Sequence, residues 1–189
     1  MNPELQTKLM IALEAVKKAS MLVKRIQEEI VLNAIDKEDR SPVTIADFAS
    51  QAIISHILKE NLGDICLVGE ENSANLQSDT SNNALDQITT YVNTIFPETD
   101  AATVCEWIDF GNTEPADRYW TVDPIDGTKG FLRGDQYAVA LAYVEQGEVK
   151  IGVLGCPNLS DAITPDKTGQ GSLLFAVRNE GCWILPLTA

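Results

Sequence analysis

Residues 123–133 read Asp-Pro-Ile-Asp-Gly-Thr-Lys-Gly-Phe-Leu-Arg. Asp123 and Asp126 are carboxylates three residues apart, forced round Pro124, and Gly127 and Thr128 follow with backbone N–H groups open to close approach. Carboxylates hold hard cations such as Mg²⁺, and a backbone turn leading into a helix holds the phosphate that those cations also touch. The run has the chemistry of one half of a metal-dependent phosphate site. The other half must come from elsewhere in the chain.

The elements that could supply it follow from periodicity. Leu5, Leu9, Leu13, Val16, Val23, Ile26 and Ile30 form one apolar face, which predicts a long helix from Pro3 to about Leu32. The polar stretch Asp36–Ser41 interrupts it, and Pro42 sets an extended approach to the next element. Thr44-x-x-Asp47 resembles a capping box with Asp in place of Glu, and opens a second helix to about Leu62. Residues 65–69 read as a short buried strand with Glu70 and Glu71 at its carboxyl end. Residues 72–83 read as a loop, 84–96 as a helix, and 98–118 carry no clear pattern. From Tyr119 the period changes to strands at 119–123, 137–144, 149–155, 173–177 and 182–187, with turn clusters at 145–148 and 178–181 that predict two hairpins. Helices first and an antiparallel meander afterwards predict an α+β fold, with layered helices against a mostly antiparallel sheet.

Four acids could then converge: Glu70 and Asp123 at strand ends, Asp126 in the following turn and Asp47 in a first helical turn. Taken singly, Glu70 and Glu71 read most simply as solvated loop acids, and Asp47 as an acid complementing the helix dipole. Asp123 and Asp126 carry more weight, because ligand chemistry and enforced turn geometry coincide there. His56, the only histidine, falls mid-helix and excludes a histidine-based triad. Lys129 and Arg133 are either phosphate contacts or solvated turn charges, and Asp109 reads as a loop acid. Cys156 reads as a packing residue.

Composition narrows the partners. At 189 residues the chain suits one domain, or one large domain plus part of another. Acidic residues outnumber basic ones 28 to 14, giving a net charge of −14 with no Lys/Arg cluster, so nucleic acid is excluded as a general partner. A small phosphate ester would be repelled as well unless bound cations reversed the local field. No stretch approaches a membrane span. The four cysteines lack metal-ligand spacing and no signal peptide is visible, which reads as a cytoplasmic protein with reduced thiols. The sequence carries no signal for oligomeric state.

Asp123-Pro124-Ile125-Asp126-Gly127-Thr128 resembles the signature of the lithium-sensitive, magnesium-dependent phosphomonoesterases of the inositol monophosphatase superfamily. Lys129-Gly130-Phe131-Leu132-Arg133-Gly134 resembles one branch, the 3′(2′),5′-bisphosphate nucleotidases. Ser41–Asp47, Val68–Glu71, Ile108–Gly111 and Gly155–Leu159 agree with that branch, so the resemblance spans almost the whole chain. It implies a Mg²⁺ site of two or three ions held by Glu70, Asp123, Asp126 and the backbone carbonyl of Ile125. It implies that Asp47 and Thr128 form a hydrogen-bonded pair that orients and deprotonates the attacking water, and that the Gly127 and Thr128 N–H groups hold the phosphate. The implied reaction is removal of the 3′-phosphate from adenosine 3′,5′-bisphosphate. The alternatives are an inositol phosphate phosphatase and an inactive regulatory relative.

Members of the superfamily also carry a Trp-Asp pair in a second α/β domain that completes the metal site and much of the substrate pocket. Here Trp107, Trp120 and Trp183 are followed by Ile, Thr and Ile. The resemblance therefore implies that residues 1–189 are the N-terminal metal- and phosphate-binding domain without its C-terminal substrate domain. It further implies that this chain by itself turns over poorly.

Overall fold

The computed structural model of the chain describes residues 2–31, 41–76 and 82–188. The long N-terminal helix is present as α1 (Pro3–Ile26). Asn2 caps it by accepting from the Leu5 N–H at 2.7 Å, Pro3 fills its first turn, and Lys24 and Arg25 sit at its negative end. It runs on as one π turn, Gln27–Val31, so the predicted length is right but its last turn is widened. The polar stretch before Ser41 lies outside the described residues, apart from Ser41 itself.

Helix α2 (Ser41–Leu62) starts earlier than the expected capping box, and places Thr44 inside the helix. Pro42 falls in the first turn, where a missing N–H removes no helical hydrogen bond. Residues 48–55 of α2 are all buried, because α1 packs on one side and α3 (Asn82–Asn93) and α4 (Ala101–Asp109) on the other. Helix α4 falls within residues 98–118, which carry no clear pattern. Asp100 caps it by accepting from the Thr103 N–H at 2.8 Å, but only Val104 and Ile108 are fully buried, too few for a clear period. His56 stacks on Trp107 at 3.8 Å between ring centroids, a packing role as expected.

The strands are β1 (Leu67–Val68), β2 (Arg118–Asp126), β3 (Ala138–Glu145), β4 (Glu148–Cys156), β5 (Leu159–Ser160), β6 (Thr164–Pro165), β7 (Ser172–Val177) and β8 (Gly181–Pro186). Helix α5 (Thr128–Arg133) lies between β2 and β3. Six strands form one sheet in the order β1-β2-β3-β4-β7-β8, antiparallel throughout except for the parallel β1–β2 pair. Both expected hairpins are there. Gln146 and Gly147 both have positive φ, the geometry that matches a tight turn to the twist of β3 and β4.

The inner sheet face, with Trp120, Val122, Leu141, Tyr143, Ile151 and Val153, packs against the helices and forms the core. The outer face presents Thr121, Asp123, Ala140, Ala142, Gly152, Leu154, Leu174, Ala176 and Cys182. These line an open apolar groove of about 430 Å³. No helix among the described residues is long and apolar enough to cross a membrane.

Candidate metal and phosphate site

The site is organised by a break in the β2–β3 register. Asp123 pairs with Ala140, but Asp126, three residues on, pairs with Ala138, only two residues back. One extra residue on β2 makes a bulge over Pro124–Ile125. In an unbroken strand, residues three apart face opposite sides. The bulge turns Asp123 and Asp126 to the same outer face and leaves Ile125 buried inward. Pro124, which cannot donate to the ladder, occupies the position where the ladder is interrupted.

The parallel pairing of β1 brings in the second segment. Val68 stands level with Thr121, and Glu70 follows two residues on, beyond the end of the ladder, with its amide held by Gln51. Glu70 is accordingly the first charge to act on Asp123. Burial, then Glu70 and Asp126, push the Asp123 carboxyl up, while a hydrogen bond from the Ile125 backbone works against them.

Asp47 arrives at the same edge from the helix layer. Its carboxyl is pushed up to about 8, first by burial and then by Glu71, Glu70 and Asp123 in that order. No Lys or Arg among the described residues is a charge acting on it. Glu71, which reads from sequence as a solvated acid, is half-buried and is itself pushed up by burial and by Glu70. Alternation along an extended chain would send neighbours Glu70 and Glu71 to opposite sides. The chain leaves the strand after Val68, and the alternation fails with it.

Gly127 ends the bulged strand at φ 95°, a left-handed conformation that opens α5. Thr128, Lys129 and Arg133 are exposed on this short helix, and neither Lys129 nor Arg133 forms an ion pair among the described residues. Helix α2 packs against α5, yet no hydrogen bond joins Asp47 to Thr128 among the described residues. Asp109 is taken up structurally, accepting from the Ser73 N–H at 2.9 Å and the Ser73 hydroxyl at 2.6 Å. Cys156 is buried and its thiol is pushed up, a packing residue as expected.

Carboxylates from three segments thus share one edge without a basic partner among the described residues, at an electrostatic cost that a hard divalent cation would relieve. The donors are all oxygen, the set that Mg²⁺ prefers. Among the described residues, no three His, Cys, Asp or Glu side chains close on a single ion position. The fit to Mg²⁺ is therefore one of donor chemistry and of few protein ligands, with waters and substrate oxygens completing the shell.

The model of the inositol monophosphatase family matches residues 4–185. The chain is 45% identical over 196 residues to 3′(2′),5′-bisphosphate nucleotidase 2 of Candida albicans, covering 93% of this chain and 54% of that protein. It is 43% identical over 164 residues to 3′(2′),5′-bisphosphate nucleotidase 1 of Arabidopsis thaliana, covering 78% and 46%. The chain spans about half the length of the curated relatives it matches. Among solved structures it superposes on CysQ from Bacteroides thetaiotaomicron, a bacterial member of the inositol monophosphatase family. There the TM-score is 0.62 at 25% identity, covering 98% of this chain and 51% of that one. It shares its fold with the Thermotoga maritima IMPase, at a TM-score of 0.54 and 20% identity. With helices layered on a mostly antiparallel sheet and acids gathered at its edge, the chain belongs to the inositol monophosphatase family.

Proposed function

We propose that the protein is a Mg²⁺-dependent phosphomonoesterase that hydrolyses adenosine 3′,5′-bisphosphate to adenosine 5′-monophosphate and phosphate. The observation that carries the reading is the bulge that turns Asp123 and Asp126 to one face, beside Glu70 and directly before the N-terminus of α5. The substrate class is supported by relatives at 40–45% identity named as bisphosphate nucleotidases.

In this reading Glu70, Asp123, Asp126 and the Ile125 carbonyl hold the cations. Mg²⁺ bound there would neutralise phosphate charge and lower the pKa of water. Bound cations would offset the burial and the acid charges that keep Asp47 protonated, and the carboxylate so released could accept a proton from the attacking water. The Thr128 hydroxyl, once rotated to Asp47, orients that water. The Gly127 and Thr128 N–H groups hold the phosphate oxygens at the helix N-terminus. Lys129 and Arg133, one helical turn apart and in no ion pair among the described residues, supply positive charge for an approaching phosphate.

The reading includes a second α/β domain packed on the outer sheet face, supported by the half-length match and by the apolar groove there. The test is phosphate release from adenosine 3′,5′-bisphosphate with Mg²⁺, with inositol 1-phosphate alongside. The expected result for this chain alone is slow release that favours the nucleotide and is abolished in Asp126→Asn. Release at a rate within about tenfold of a full-length relative would show that no second domain is needed. Release unchanged by Asp126→Asn would rule out the assigned site.

A further inference from the structure

Gln51 is fully buried in α2, one turn beyond Asp47, and belongs to none of the roles above. Its carboxamide reaches out of the helix to the irregular segment after β1. Oε1 accepts from the backbone N–H of Glu70 at 3.0 Å and of Glu71 at 2.9 Å. Nε2 donates to the carbonyl of Glu71 at 2.7 Å and to that of Ile108, near the end of α4, at 2.9 Å. Two lone pairs and two N–H bonds are the whole capacity of a primary amide, and all four are spent on backbone.

The surrounding sequence makes room for this group. A Cβ at Gly69 would lie 2.6 Å from Oε1 and 2.8 Å from Nε2 of Gln51. One at Gly111 would lie 2.8 Å from Nε2. The two glycines are themselves joined, Gly69 N–H to Gly111 carbonyl at 2.8 Å. Any other residue at either position would push the carboxamide away from Glu70 and Glu71.

We propose that Gln51 is the positioning residue of the acidic site. It fixes the Glu70–Glu71 backbone, which has left its strand ladder, at a set distance from Asp47 on the same helix. The consequence is for cation affinity: ligands held in place bind a metal more tightly than ligands that must be ordered on binding. This rests on the metal-dependent reading above, and the test separates the two.

The test uses the full chain and Mn²⁺ as probe, with amide hydrogen exchange read residue by residue in the metal-free protein. The Glu70 and Glu71 amides of the wild type should be protected like those of the α2 core. Gln51→Met, unbranched and similar in volume, should weaken Mn²⁺ binding by about tenfold or more while the chain stays folded by circular dichroism. It should also speed exchange at Glu70 and Glu71 but not in α1. Gly69→Ala, which keeps Gln51 but displaces its amide, should do the same, and it stands in if Gln51→Met does not fold. A folded variant of either kind that binds Mn²⁺ like the wild type overturns the positioning role. So does wild-type exchange at Glu70 and Glu71 as fast as in open loops. A wild type without Mn²⁺ affinity overturns the metal reading, and the positioning role with it. Affinity that is present but insensitive to Gln51 overturns the positioning role alone.

Discussion

Asn158 donates its side-chain N–H to Oε1 of Gln27 over 2.9 Å, tying the turn after β4 to the π turn that ends α1. Both residues are buried, and each also reaches α5 or the loop that follows it. Gln27 Nε2 donates to the Phe131 carbonyl in α5 at 2.7 Å, and Asn158 Nδ2 donates to the Asp135 carbonyl at 2.8 Å. The side chain of Gln136 closes the loop by donating to the Asn158 carbonyl. Asn158→Ala would leave the buried Gln27 Oε1 and the part-buried Asp135 carbonyl without donors. The expected loss is about 2–4 kcal/mol of unfolding free energy by urea titration. A change below about 0.5 kcal/mol would mean that water replaces the amide at no cost.

Gly130 is required for a different reason. A Cβ there would overlap the carbonyl oxygen of Gln136, a backbone atom that cannot swing aside. Gly130→Ala should therefore destabilise the chain by about 2 kcal/mol or more, although alanine is the better helix former. Thermal melting checks it. An unchanged or higher Tm would show that α5 shifts freely to make room for the side chain.

Without metal, the acidic edge should make stability fall as pH rises. The Asp47 carboxyl goes from an ordinary value of 3.8 to about 8 on folding, and Glu71 and Asp123 move the same way. Between those values the folded chain keeps protons that the unfolded chain has lost. The stabilisation is complete below about pH 4 and disappears as pH climbs through about 8. Exposed acids held low by Lys8, Arg25 and Lys150 oppose this only below the carboxylate range. The metal-free protein should melt several degrees higher near pH 5 than near pH 9, Asp47→Asn should flatten the slope, and Mg²⁺ should raise the alkaline Tm. A flat wild-type profile across that range would contradict the account.

Calorimetric titration with Mg²⁺ addresses the ligands directly. Asp126 is exposed and turned outward by the bulge, so Asp126→Asn should leave the fold intact while removing the binding heat. Removing one charged ligand should weaken the ion by about tenfold or more. If Asp126→Asn titrates like the wild type, the cation sits elsewhere or is held by backbone alone.

The sequence by itself determined α1, α2 and α3, the six strands of the large sheet, both hairpins and the Asp-Pro-x-Asp-Gly-Thr turn. Each of these is written in neighbouring residues: an apolar period, a glycine at positive φ, a proline that cannot pair. Helix α4 shows the limit, since nine residues with two buried positions carry no readable period. The acids Asp47, Glu70, Asp123 and Asp126 were legible as types that bind cations. Only the tertiary structure decided how they meet. The bulge that turns Asp126 to the side of Asp123 exists only in the pairing of β2 with β3, and the Glu70 charge acts on Asp123 only because β1 and Gln51 bring its segment to that edge. Glu71 and Gln51 stayed hidden for the same reason. A carboxylate becomes costly, and an amide becomes a clamp, only when segments distant in sequence bury them together and withdraw the water that would otherwise satisfy them.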